Sequence, residues 1–198
     1  MAEPHPDFDP LVLKAMAKWP DVPDCYGWLS LDRRGQWRLQ GEVISHARAV
    51  AFLNRHYTST PEGRWYVQNG PQRVFVDLAC TPFVCREIAP GRLALHTGTG
   101  VATLAEVVAL EDHDLVLVTE HGPAVLDDRD LMRFTAALGA GPDSGDALLE
   151  RLLDTSAVAP ECLRWYTARP AFRRIASADL PARYGFVPTP RDPDADRG

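Results

Sequence analysis

Two stretches of the chain alternate apolar and polar positions on either side of residues 69–71. In the first, Trp65 and Val67 fall on one side and Tyr66 and Gln68 on the other; in the second, Val74, Val76 and Leu78 face one way, Phe75 and Asp77 the other. A period of two is the signature of a strand, because successive side chains leave a pleated backbone on opposite faces. Asn69-Gly70 between them is a strong hairpin signal, since both residues tolerate positive φ. Pro71 has no N–H to give a ladder, and this predicts a loop wider than two residues.

Elsewhere the period changes. Residues 9–19 place Leu11, Ala15 and Trp19 on one helical face, with Pro10 suited to the first turn and Pro20 ending the pattern. "GQWRLQGEVI" from Gly35 predicts a strand, a turn at Gly41 and a short returning strand. "SHARAVAFLNRHY" then puts Ala47, Val50, Leu53 and Tyr57 at helical spacing behind Ser45 or His46 as a cap. Residues 92–126 read as short strands separated by turns at 98–100, 111–114 and 121–123. "DDRDLMRFTAAL" follows as a helix capped by Asp127, with Leu131, Phe134 and Leu138 as its buried stripe. Beyond a glycine and proline linker at 139–145, a short amphipathic helix and a second one over 160–175 are predicted. The tail after Pro188 has the proline and charge content of a disordered end.

One pattern occurs twice. Setting "GEVISHARAVAFLNRHY" from Gly41 beside "GPAVLDDRDLMRFTAAL" from Gly122 aligns, without a gap, Ile44 with Val125, Arg48 with Arg129, Val50 with Leu131 and Leu53 with Phe134. Both copies read hairpin, then helix, which predicts an α+β protein of two similar small lobes, each a set of antiparallel hairpins with a packed helix, plus C-terminal helices. The expected division is an N-terminal lobe over 1–88, a second lobe with helical extension over 89–187, and a disordered tail over 188–198. A groove between lobes is then the default place for a ligand.

Charge narrows the partners. Acidic residues exceed basic ones, 27 to 21, so the chain lacks the basic excess that duplex nucleic acid demands. Its apolar stretch 101–110 is too short for a bilayer, which takes about 20 residues, and no signal segment opens the chain, so a cytoplasmic protein without membrane contact is expected. Cys25, Cys80, Cys85 and Cys162 form no CxxC pair and are expected as reduced thiols.

No catalytic, cofactor or metal motif is present: GxSxG, HExxH, GxxxxGK[ST] and GxGxxG are all missing, and the six histidines show no ligand spacing. "HTGTG" at 96–100 reads either as an anion-cradling run of amides or as a tight turn. "EDHD" at 111–114 reads as a solvated turn, and Asp127, Asp128 and Asp130 as acids at the positive end of the helix they open. "RWYTARPAFRR" at 164–174 reads either as an aromatic and arginine surface for a phosphorylated base or as a docked amphipathic helix. The candidate ligand residues are Gln68, Asn69, Gln72 and Arg73 at the hairpin, whose amide and guanidinium donors surround the turn, with His96 and Thr97.

The segment from Gly35 through Val84 resembles an uncharacterised, chiefly proteobacterial family of unknown function. It is also similar to a larger bacterial unknown-function family with the scheme GxW, hairpin, helix, G-x-[WY]-x-V, V-x-V and a Pro-Phe pair. Gly35, Trp37, Gly41, Ile44, Gly63, Trp65, Val67, Val74, Val76, Pro82 and Phe83 match that scheme. The resemblance implies a duplicated α+β core, a C-terminal lobe like a pleckstrin-homology fold, and a nucleotide-like ligand between lobes with a signalling role. Where the larger family has Thr-Pro followed by an acidic residue and a lysine, this chain has "QNGPQR". The resulting expectation is a small-ligand-binding or regulatory module for a nucleotide-like or anionic ligand. Its alternatives are an enzyme on a phosphorylated or nucleotide-like substrate, with His96 or His46 as acid or base, and a protein-interaction module.

Overall fold

A computed structural model describes residues 8–140, 143–154 and 157–193. The described residues form two compact units: 8–32, 36–79 and 185–193 make the first, and 33–35 with the described residues of 80–184 the second.

The first unit opens with helix α1 (Pro10–Lys18), with Pro10 in its first turn. Strand β1 (Cys25–Leu31), β2 (Trp37–Leu39) and β3 (Glu42–Val43) form an antiparallel meander. Helix α2 (Ala47–Arg55) follows, and His46 caps it by accepting from the Ala49 N–H at 3.3 Å. The chain returns through β4 (Tyr57–Ser59), β5 (Trp65–Asn69) and β6 (Gln72–Leu78), and β6 lies parallel to β1. The sheet order is β3-β2-β1-β6-β5-β4.

The hairpin is tighter than Pro71 predicts. Asn69 pairs with Gln72, which leaves Gly70 and Pro71 as a two-residue turn. Gly70 takes φ 58°, as the first central residue of a type II′ turn does, and Pro71 stands where no ladder N–H is needed.

The last residues of the described chain complete this unit. The Leu78 N–H donates to the Pro188 carbonyl at 2.8 Å and the Val187 N–H to the Gly63 carbonyl at 2.9 Å. Gly63, at φ 78°, admits no side chain, because a Cβ there would strike the Gly185 carbonyl. The chain is thus hydrogen-bonded as far as Pro188, where the tail of disorder-like composition begins; 194–198 lie outside the described residues.

The second unit holds β7 (Phe83–Ala89), β8 (Arg92–Leu95), β9 (Gly100–Val101), β10 (Leu104–Ala109), β11 (Leu115–Thr119) and β12 (Gly122–Leu126). A 3-10 turn, Asp128–Asp130, leads into α3 (Leu131–Ala136), so the helix is shorter than the pattern 127–138. Next come β13 (Leu138–Ala140), β14 (Asp143–Ser144), α4 (Gly145–Leu153), β15 (Arg164–Trp165), β16 (Ala171–Arg174), a 3-10 turn Ser177–Asp179 and α5 (Leu180–Tyr184). Its main sheet runs β16-β10-β11-β12-β7-β8-β9. Strand β7 pairs with β8 and β12, so the division of the chain falls after Ala79 and not after 88.

The 160–175 segment is a hairpin, not a helix. Trp165 bridges Ala168, Cys162 bridges Ala171, and β16 runs parallel to β10. Pro170 lacks the N–H a helix interior needs, and Tyr166 turns the chain at φ 48°.

These pairings repeat the first unit. There, the meander β1-β2-β3 is followed by α2 and a return through β4-β5-β6 that ends parallel to β1. In the second unit, the meander β10-β11-β12 is followed by α3 and a return through β13, β15 and β16 that ends parallel to β10. Strand β14 and α4 are inserted into the second copy, and β7-β8-β9 extend its sheet beyond β12.

Candidate functional site

The repeat fixes which positions correspond. Tyr57 opens the strand after α2 and pairs with Val67; Leu138 opens the strand after α3 and pairs with Trp165. Val67 and Trp165 are therefore equivalent, as are Leu53 and Phe134 by the gapless alignment.

In the second unit this place is filled. Phe134 is 0% exposed and its ring stacks on that of Trp165 at 5.1 Å. In the first unit the smaller Leu53 and Val67 leave a cavity of about 260 Å³, whose floor is Leu29, Val67 and Val74 of the sheet and whose roof is Ala49, Phe52 and Leu53 of α2. Leu39, Ile44 and Asn69 complete the lining, Asn69 as its one polar residue.

Helix α2 shows the same deficit: it is amphipathic, yet none of its residues is fully buried. Its C-terminal end is anchored, since Trp37 donates from Nε1 to Asn54 Oδ1 at 2.7 Å. The imidazole of His56, 0% exposed, lies beside the Phe52 carbonyl at 2.9 Å through Nδ1 and accepts the Asp9 N–H at 3.1 Å through Nε2. A proton on Nδ1 and a lone pair on Nε2 satisfy both contacts.

The six residues singled out from sequence divide between the units. Gln68, Asn69, Gln72 and Arg73 share one hairpin of the first, through the pairs Gln68–Arg73 and Asn69–Gln72. Gln68 is buried and donates to the Gly70 carbonyl at 2.9 Å, and Gln72 donates to the Pro23 carbonyl at 3.0 Å. Arg73 commits its fork to Asp24, at 2.8 and 2.6 Å. Only Asn69 lines the cavity.

His96 and Thr97 belong to the second unit. His96 Nδ1 accepts the Val84 N–H at 3.2 Å, its Nε2 is shut off from solvent, and burial pushes the imidazole down to about 3. Its neighbours form a closed turn: the Gly98 N–H donates to the Leu95 carbonyl, the Leu95 N–H to that of Thr99, and the Thr97 and Thr99 hydroxyls lie 3.0 Å apart.

Asp112 and Asp114 of "EDHD" pair with Arg33, Asp112 at 2.7 Å. A cleft of about 380 Å³ beside Glu111, His113 and Arg174 has little polar capacity to spare. Arg174 donates to the carbonyls of Arg151, Leu152 and Ala157, and Glu111 accepts the Ser177 N–H.

Sequence reading missed the arginine and carboxylate chain that joins β7 to α3. Asp127 caps the 3-10 turn by accepting the Arg129 N–H at 3.0 Å, as predicted, but it also takes the Arg129 fork at 2.8 and 2.5 Å. Burial alone pushes the Asp127 carboxyl up; the hydrogen bonds from the Arg129 side chain and backbone together outweigh this and hold it below the ordinary carboxylate range. Arg86 reaches Asp130 at 2.5 Å and Asp127 at 3.7 Å, and Arg133 reaches Asp130 at 3.0 Å and Glu87 at 3.3 Å. The one available signal was Arg86 and Glu87 in the middle of an otherwise apolar strand, with a later helix start rich in both charges.

Among the described residues no group of His, Cys, Asp and Glu is arranged to hold a metal, and no helix is long and apolar enough to cross a membrane.

Fold and site together define a mixed α+β protein with an internally repeated strand order and a small apolar cavity in its first copy. The chain belongs to the family DUF2944, described as Protein of unknown function (DUF2946), which matches residues 8–191. Two solved DUF1285 family proteins are similar to it. That of Silicibacter pomeroyi DSS-3 is 16% identical with a TM-score of 0.47, covering 70% of this chain and 81% of its own. That of Shewanella baltica OS155 is 15% identical with a TM-score of 0.41, covering 54% and 89%. No curated protein matches the chain.

Proposed function

We propose that the chain is a small-ligand-binding module whose first unit takes an apolar body carrying one hydrogen-bonding group beneath α2. The observation that carries this reading is the place of the cavity. It lies where the second repeat packs the Phe134 and Trp165 rings, so the first repeat has the shape of the same site with its filling removed. Ligand pockets usually span about 300–1,000 Å³, so a volume of about 260 Å³ suits a small molecule or the end of a larger one. Asn69 supplies both an acceptor and donors at the rim.

The enzyme reading finds less support. His46 serves as a helix cap, and His96, pushed down to about 3, is neutral at pH 7 and too weak a base for general catalysis there.

Indole is the direct probe, since an indole ring occupies the equivalent space in the second repeat. Titrated into the 15N-labelled protein, it is expected to shift the amides of Leu53, Val67 and Asn69 saturably, and Leu53→Phe, which fills the cavity, to weaken binding at least tenfold. An absence of saturable shifts, or binding unchanged in Leu53→Phe, overturns the proposal.

A further inference from the structure

The second unit carries a feature that the cavity does not use. Asp127, Asp130 and Glu87 have side chains only 0%, 6% and 0% exposed, and each is held by arginine. Burying a carboxylate requires a paired cation, but it does not require that cation to reach the surface. Here all three arginine side chains are partly exposed, 40% for Arg86, 52% for Arg129 and 49% for Arg133.

The orientation of each fork matters. Arg86, Arg129 and Arg133 all use their Nε and Nη2 edges on the buried carboxylates. Among the described residues, none of their Nη1 nitrogens makes a hydrogen bond. Asp127 joins Arg129 to Arg86, and Asp130 joins Arg86 to Arg133, so neighbouring guanidiniums stand one carboxylate apart.

We propose that Arg86, Arg129 and Arg133 form a pre-oriented oxyanion site for a phosphate or diphosphate group of a small molecule. Two guanidiniums bridged by one carboxylate present their outer donors to a group with acceptors on several sides, which a phosphate has and a lone carboxylate lacks. The buried acids hold the long side chains in place beforehand, so a ligand orders little on arrival. Three carboxylates also cancel the charge of three arginines, so recognition rests on the outer N–H donors and not on net charge, and this selects against the extended phosphate backbone of nucleic acid, which needs an uncompensated basic surface. The site lies wholly within the second unit, so it stands or falls independently of the indole test.

Isothermal titration of the full chain with pyrophosphate and with inorganic phosphate, at about 150 mM NaCl, tests it. Pyrophosphate is expected to bind saturably with a stoichiometry of one, and more tightly than phosphate. Arg129→Gln is expected to weaken it at least tenfold, whereas Arg48→Gln, which removes an exposed charge from α2 in the first unit, leaves it unchanged. Arg129→Lys keeps the charge and loses the fork, and a several-fold loss there, with an unaltered circular dichroism spectrum, separates recognition from folding. No saturable binding at this salt, equal affinity in Arg129→Gln, or an equal loss in Arg48→Gln each overturns the proposal.

Discussion

Beneath α2 the first repeat has an open apolar pocket, and beneath α3 the second packs two aromatic rings at 5.1 Å. The strand order is shared and the volume is not. What separates the two copies is the size of side chains at equivalent positions, Leu53 and Val67 in one, Phe134 and Trp165 in the other. A repeated strand order can thus carry a packed core in one copy and an open pocket in the other, according to the side chains at a pair of equivalent positions.

The comparison breaks most sharply at Phe134. Phe134→Ala removes a fully buried ring and is expected to cost about 3–5 kcal/mol in urea unfolding, provided the second copy is a true core. A cost under about 1 kcal/mol would mean that α3 is as loosely seated as α2.

His96 gives the next largest effect, and it acts through pH. Its folded-state value, pushed down to about 3, lies below the ordinary unfolded value of about 6.5, so below pH 6.5 the unfolded chain binds a proton that the folded chain refuses. Stability from this group is complete above about pH 6.5 and falls as the pH drops toward 3. Between pH 7 and pH 5 the loss is about 2 kcal/mol. Urea melts of wild type and His96→Gln at both pH values check it: the difference between them should shrink in the variant. An unchanged pH dependence would show that the ring is solvated.

The smallest change belongs to the first copy. Leu53→Ala enlarges a space that is already open, from a residue that is only partly buried, and is expected to cost about 1 kcal/mol, well below the usual range for a core leucine. A loss above about 3 kcal/mol in the same urea assay would make Leu53 a core residue and remove the contrast with Phe134.

How much of this was legible follows from the range over which each feature is specified. The hairpins and α2 were readable because turn residues and apolar period sit within a dozen positions of one another, and the repeated order because Gly41 and Gly122 head the same spacing. Strand β1 was not assigned from sequence: it pairs with β2 across the turn at 32–36, but its other partner, β6, is parallel and more than 40 residues away, and its own residues, with Gly27 among them, show no clean alternation. The 160–175 hairpin was misread as a helix because aromatics and arginines fit both periods, and the pairing of β16 with β10 decided the outcome. Of the candidate ligand residues, Asn69 reaches the cavity while Arg73 is held by Asp24, a partner 49 positions away that no local pattern connects to it. The arginine chain was hidden for the same reason, since Arg86 and Asp130 are 44 positions apart.

The stretch Gly185 to Pro188, lying against Gly63 and Leu78, has a consequence for biosynthesis. The first unit is assembled from the early part of the chain and from its last described residues, while residues 80–184 lie between them. On the ribosome residues 80–184 therefore emerge before the stretch that completes the hydrogen bonding of the first unit. Domains ordinarily complete themselves in the order in which they are synthesised, the N-terminal one first; here the N-terminal unit receives its last hydrogen-bonding partners after the second has been synthesised. During translation the β4-β5-β6 region waits with the Gly63 carbonyl and the Leu78 N–H unmet until residues 187 and 188 emerge.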